Sequence, residues 1–327
     1  MEVVGGEVRG RWSTALALGG AVLLLYVLDA FPLIALPLAV LLIALPPWRP
    51  ATLLFAAVVL LWALVVVPGV GAYGLITRGW ALLVAGLFVG ALLLWPRWSF
   101  LHRALAAVAG AMALAGAGLA ISGSWSVVDG LIADFFRSAL LVMAERLNSP
   151  APDSRVLGWL PASAASPAGL ERVLALRSWV FPALLALQSL AALGVGWWAF
   201  VRMGGVREGE GEGEGQTLRP LRDFRFHDQL IWLVIGGLVL LLLPLGPAAN
   251  RVAANLLVFM GALYALRGVA IFVFLAGRAP SRLSVFFGAL AALFLSHLVL
   301  TAAVLVGLGD TWLDVRRRVA LASAAES

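Results

Sequence analysis

VAANLLVFMGALYALRGVAIFVFLA, residues 252–276, is an apolar stretch broken by one charge, Arg267. A chain buried in hydrocarbon must satisfy its own backbone hydrogen bonds, so a run this long and this apolar reads as a membrane helix. Eight further apolar runs share the pattern, at residues 13–31, 33–45, 51–67, 79–95, 104–121, 179–201, 230–245 and 283–308. The run at 33–45 is short, with Pro37 inside and Pro32, Pro46 and Pro47 at its ends, and reads as a tilted or re-entrant helix. The expected fold is all-α, an integral membrane bundle of eight or nine transmembrane helices with interfacial amphipathic helices.

Composition agrees. Of 327 residues, 62% are hydrophobic and 12% charged, and mean hydropathy is +1.01. A soluble domain carries about twice that charged fraction. A water-soluble fold has too much surface for its volume to hide so many apolar side chains. The chain has no cysteine, which excludes disulfides, thiolate nucleophiles and thiolate-held metals or clusters. All 23 basic residues are Arg, and with the abundant Ala, Gly and Leu this points to a GC-rich bacterial genome and so to a cytoplasmic (inner) membrane. The Arg residues flank apolar runs as membrane anchors do, and the net charge of +6 implies no nucleic-acid partner. The run at 13–31 has no convincing cleavage site and precedes many others, so it reads as an uncleaved first helix.

Two breaks organise the chain. Residues 127–147 are apolar but hold Asp129, Asp134, Arg137, Glu145 and Arg146, which suits a helix lying at the interface. A Pro- and Ser-rich loop follows. Residues 208–215 alternate Gly and Glu and read as a disordered linker. The expected parts are a five-helix N-terminal part (1–121), an interfacial helix and loop (122–178), a four-helix C-terminal part (179–308) interrupted by a cytoplasmic linker at 204–222, and an amphipathic tail (309–327).

With the N-terminus inside, Arg9, Arg11, Arg49, Arg97, Arg103, Arg202, Arg207, Arg219, Arg222, Arg225, Arg278 and Arg282 fall in cytoplasmic loops, and only Arg78 and Arg251 in short outside loops. Nine crossings then put Arg316, Arg317 and Arg318 outside, against the same rule.

No catalytic motif is present. His102, His227 and His297 show no metal-ligand spacing, and Gly204-Gly205 beside Arg207 lacks the Lys and Ser/Thr of a phosphate loop. No metal, cofactor or catalytic residue is expected. The chemistry left is that of polar side chains inside apolar runs, which cost free energy and are functional candidates. These are Gln188, His297 and Arg267, with Tyr264 one turn from Arg267. Helical side chains lean toward the helix N-terminus, which points Arg267 away from its nearer interface. Two environments fit it: a dry hydrogen-bond network with Gln188 or His297, or a wet pocket facing an anionic ligand. The reading leans to the pocket, since no acidic residue is expected at matching depth.

Asp310-Thr-Trp-Leu-Asp-Val-Arg-Arg-Arg318 reads as an interfacial helix capped by Asp310, anchored by Trp312, with Asp314 pairing Arg317 or Arg318. Ala17 and Ala21 have the spacing that lets helices approach closely, as do Ala15 and Gly19, and the first pair is the candidate partner-helix contact.

Three stretches carry a family resemblance: Phe224-Arg225-Phe226-His227-Asp228 with the apolar run after it; Asn255-Leu256-Leu257 on to Tyr264 and then Arg267-Gly268-Val269-Ala270; and Gly307-Leu308-Gly309-Asp310-Thr311-Trp312-Leu313-Asp314-Val315-Arg316. The helix after Pro182, ending in Trp197-Trp198, also fits. In these the chain resembles the YybS-like family of bacterial polytopic membrane proteins of uncharacterised function. His227 stands where that pattern has Pro, and Arg267 where it has an uncharged polar residue. The family in turn resembles, distantly, the substrate-binding components of energy-coupling-factor vitamin transporters, whose first helix meets a membrane partner through small residues four apart. The resemblance implies a small-molecule binding or transport component working with other membrane subunits, any ATP-driven step belonging to another protein. A membrane scaffold is the second reading and a membrane-embedded enzyme the third.

Overall fold

The structure is a computed structural model that describes residues 31–46, 48–62, 64, 71–148, 176, 178–205, 224–275, 296–314 and 318–319. Among these, helix dominates and no strand occurs. The helices fall into two compact units.

The first unit holds α1 (Phe31–Ala44), α2 (Pro50–Leu61), α3 (Ala72–Leu94), most of α4 (Phe100–Ser122), α5 (Trp125–Asn148) and α6 (Phe181–Phe200) with a π turn at Val201–Gly205. Its centre is α1, the run with the internal proline. At about 1.5 Å per residue it is only about 21 Å long. It packs against α2, α3 and α6, burying Leu33, Leu36, Ala39, Leu41 and Leu42. Gly196 of α6 faces Ile34, Pro37 and Leu38 of α1, and a Cβ there would meet them at ordinary van der Waals distance. Between α3 and α6, Trp80 Nε1 donates to Ser189 Oγ at 2.8 Å, and Ser189 donates to the Leu185 carbonyl at 2.7 Å. Phe88 meets Trp197 edge to face.

Residues 127–147, expected at the interface, form the body of α5. Asp134 and Arg137 pair on its exposed side, while Ile132 and Phe136 are buried. Phe135 stacks on Tyr73 of α3 with centroids 3.8 Å apart, and Phe136 meets Phe181 of α6.

Several Arg residues that the sequence placed in loops, Arg78, Arg103, Arg202 and Arg251, lie in helical elements. Arg78 is inside α3, which begins at Ala72, and donates to the Leu64 carbonyl at 3.0 Å. Arg251 is inside the helix Pro247–Leu275. Arg103 is buried near the start of α4 and donates to the carbonyls of Trp95 and Pro96, groups that the end of α3 leaves unsatisfied.

The second unit holds a 3-10 turn (Asp228–Leu230), α7 (Ile231–Leu242), α8 (Pro247–Leu275) and α9 (Ser296–Leu313). Leu243 is extended and Gly246 has φ of +96°, and the turn they make is followed by Pro247 at the first position of α8. Gly237 of α7 faces Leu256 and Leu257 of α8. The outer faces of α7 and α9 expose Trp232, Leu242, Leu298 and Leu305, side chains that suit lipid.

Among the described residues four helices are long and apolar enough to cross a membrane: Ala72–Leu94, Phe100–Ser122, Phe181–Met203 and Pro247–Leu275. Four shorter apolar helices accompany them among the described residues. The apolar runs from 33 onward therefore all contain helix, yet several are shorter than a span, and eight or nine crossings are not reached among the described residues. The expected first helix with Ala17 and Ala21, the loop after α5, the Gly-Glu linker and Arg317 lie outside the described residues. One boundary between the units falls between Val206 and Arg207, and α6 packs within the first unit.

Candidate functional site

The site grows from a close helix crossing. Gly268 of α8 lies against the Ala303 carbonyl of α9, and Gly307 lies against the Tyr264 carbonyl, so tightly that a Cβ at either glycine would overlap backbone. Ascending numbers on α8 meet descending numbers on α9, so the two helices run antiparallel. Small residues four apart, Ala303 and Gly307, supply the flat face.

That contact brings two charges together. Arg267 precedes Gly268, and its side chain leans toward the start of α8. Asp310 follows Gly307 by almost one turn and leans the opposite way, toward it. Arg267 Nε donates to Asp310 Oδ2 at 3.0 Å, and Nη2 stands 3.0 Å from the same oxygen as an ion-pair contact outside hydrogen-bond geometry. Arg267 is 0% exposed and Asp310 1%.

A second carboxylate comes from the segment before α7. Arg267 Nη1 donates to Asp228 Oδ1 at 2.7 Å, and the Asp228 side chain is 47% exposed. Asp228 sits in the first turn of its helix, where a negative charge is favoured, and Arg267 approaches the last turn of α9, where a positive one is. The Phe226 ring stacks within 5.4 Å of the Arg267 guanidinium carbon and meets Tyr264 edge to face at 5.0 Å. Arg225 reaches over to Asp314 at 3.1 Å, both partly exposed. Residues 225–228 thus form a strap tied at alternate positions to α8 and to the end of α9.

Several sequence expectations change here. Asp310 is not the cap of a new helix. It lies inside α9, because the helix continues through Gly309 to Leu313, and its carboxylate is committed to Arg267. An acidic partner does exist at Arg267's depth: two carboxylates meet the guanidinium. Asp314 pairs with Arg225 and follows the end of α9 at φ of +42°, a conformation Asp tolerates better than most residues; Arg317, its expected partner, lies outside the described residues. Trp312 is 68% exposed. The crossing count separates residues 225 and 314 by the membrane. A 3.1 Å ion pair cannot bridge about 30 Å of hydrocarbon, so the start of α7 and the end of α9 emerge together.

Tyr264 is 0% exposed and borders the cluster. Gln188 belongs to α6 of the first unit, where it is 4% exposed. The backbone of His297 opens α9, and its side chain is outside the described part. Asp228, Phe226, Gly268, Gly307 and Thr311 were not singled out as site residues. The available signal was that Ala303, Gly307 and Asp310 recur at four- and three-residue steps on one face, as Tyr264, Arg267 and Gly268 nearly do. Among the described residues no group of His, Asp and Glu has the arrangement of a metal site.

No curated protein and no solved structure matches the chain. Residues 171–311 match the model of a family described as a predicted membrane protein (DUF2232), a stretch that contains Phe226, Asp228, Tyr264, Arg267, Gly307 and Asp310. With its long apolar helices, the chain is an integral membrane protein, similar over its C-terminal helices to that family of predicted membrane proteins.

Proposed function

We propose that this protein is a small-molecule binding or transport component of a bacterial cytoplasmic membrane, working with partner membrane subunits and without catalytic chemistry of its own. Its polar centre is the cluster of Arg267, Asp310 and Asp228. The supporting observation is the burial of this charge network between apolar helices. Apolar side chains of similar volume would pack there as stably or more so, and ionisable groups inside a membrane protein mark ligand and ion pathways. The likeness to YybS-like proteins and to energy-coupling-factor components belongs to this proposal. The anionic ligand expected from sequence drops out, because two carboxylates already neutralise Arg267.

A scaffold is the second reading, favoured by the backbone contact at Gly268 and Gly307, which suits a rigid, dry bundle. The chain lacks cysteine, so Tyr264→Cys separates the two. Binding or transport requires the strap to open, and a water-soluble thiol reagent should then label the residue in membranes, more slowly than an exposed Gln229→Cys control. Labelling by membrane-permeant reagents alone would leave the scaffold.

A further inference from the structure

Three polar groups around the cluster make no hydrogen bond of good geometry. Tyr264 Oη, Thr311 Oγ1 and Arg267 Nη2 are buried and make no hydrogen bond. They lie together: Tyr264 and Arg267 are one turn apart on α8, Thr311 follows Asp310, and the two hydroxyls face each other outside good hydrogen-bond geometry. Each buried hydrogen-bonding group left unmade is costly, and three in one place are rarer than one.

All three can donate. Arg267 Nη2 only donates, and each hydroxyl has a proton to give. The complement is an oxygen with lone pairs. It is not a carboxylate or phosphate, because Asp228, Asp310 and Arg267 already sum to one negative charge, and another anion in a low-dielectric site would be repelled. We propose that Arg267 Nη2, Tyr264 Oη and Thr311 Oγ1 form a binding site for one neutral oxygen acceptor, an ordered water or the hydroxyl or carbonyl oxygen of a small uncharged solute. A buried water commonly makes about three such bonds. Above the site, Phe226 covers Tyr264, and the half-exposed Asp228 marks the way in.

This deepens the binding reading by naming the ligand chemistry, and the two fail separately: labelling at residue 264 tests access, whereas the variants below test occupancy. The full chain in lipid nanodiscs is compared with Tyr264→Phe, Thr311→Val and the double variant by thermal unfolding. If the oxygen is present, each deletion lowers Tm by about 2–4 °C, and the double variant by less than the sum, because both hydroxyls hold one occupant. Thr311→Ser, which keeps the hydroxyl, restores Tm. Acetamide and glycerol then distinguish the sources. A saturable rise in Tm that the double variant loses assigns the oxygen to a neutral solute, and no rise assigns it to water. The proposal is overturned if either deletion leaves Tm unchanged or raises it, as removing an empty buried hydroxyl would. It is also overturned if acetate raises Tm where acetamide does not.

Discussion

Arg267 and Asp310, forty-three residues apart in sequence, meet at 3.0 Å with neither side chain reaching the surface. Their helices can come close enough only because glycine stands beside each: Gly268 next to the arginine, Gly307 one turn before the aspartate. The ion pair and the bare backbone contact are one feature seen from two sides.

Removing one partner should therefore be worse than removing both. Arg267→Leu takes the guanidinium away from the buried Asp310, and Asp310→Leu leaves Arg267 with the half-exposed Asp228. Each single change is expected to cost about 3–5 kcal/mol, while the double change to Leu should recover most of that loss. Thermal unfolding in detergent measures all three, and additive losses would contradict the pairing.

The glycines make a second test. Gly307→Ala or Gly268→Ala puts a methyl into backbone, not into a yielding side chain, so the cost should exceed the about 1–3 kcal/mol of ordinary overpacking. Gly261, on the same helix α8, has open space where a Cβ would go. Gly261→Ala should gain up to about 1 kcal/mol from helix propensity. Equal effects at 261 and 307 would refute the close crossing.

Asp314 combines an exposed ion pair with a left-handed backbone. Asp314→Asn keeps a residue that tolerates positive φ and loses a pair worth at most about 1 kcal/mol. Asp314→Val adds a β-branched side chain where φ is +42°, so it should lower Tm distinctly more than the Asn variant. Indistinguishable melting curves for the two would argue against the turn.

Arg225→Cys combined with Asp314→Cys tests topology directly. Because their native side chains touch, a short bis-maleimide should join the two cysteines in membranes, and both should react from the same side. Failure to join, with labelling from opposite sides, would restore the crossing count read from sequence.

What sequence revealed here followed what is local. Hydropathy located every described helix from α1 onward, since apolar runs report on themselves. Arg267 stood out because one charge in residues 252–276 has no local excuse. Its partner did not. Asp310 follows Gly-Leu-Gly near the end of an apolar run, and capping chemistry read from neighbouring residues makes a helix start there, whereas the tertiary crossing keeps α9 going. Asp228 was invisible for a similar reason: ahead of α7 it reads as ordinary interfacial polarity, and only folding carries it to α8. Local rules rank what a residue does for its own helix and are silent on what lies forty residues away.

The strap sets a rate as well as a shape. Lifting residues 224–226 while Asp228 stays in place breaks one exposed ion pair, parts Phe226 from Arg267 and Tyr264, and bares Phe226, which is 5% exposed when closed. Together these amount to about 3–6 kcal/mol, so the lifted form would make up about one molecule in a hundred and fifty to one in twenty-five thousand. On the proposed binding role, a solute bound for Tyr264 would wait for that minority, and a partner protein that holds Phe226 away would speed entry in proportion to the population it adds.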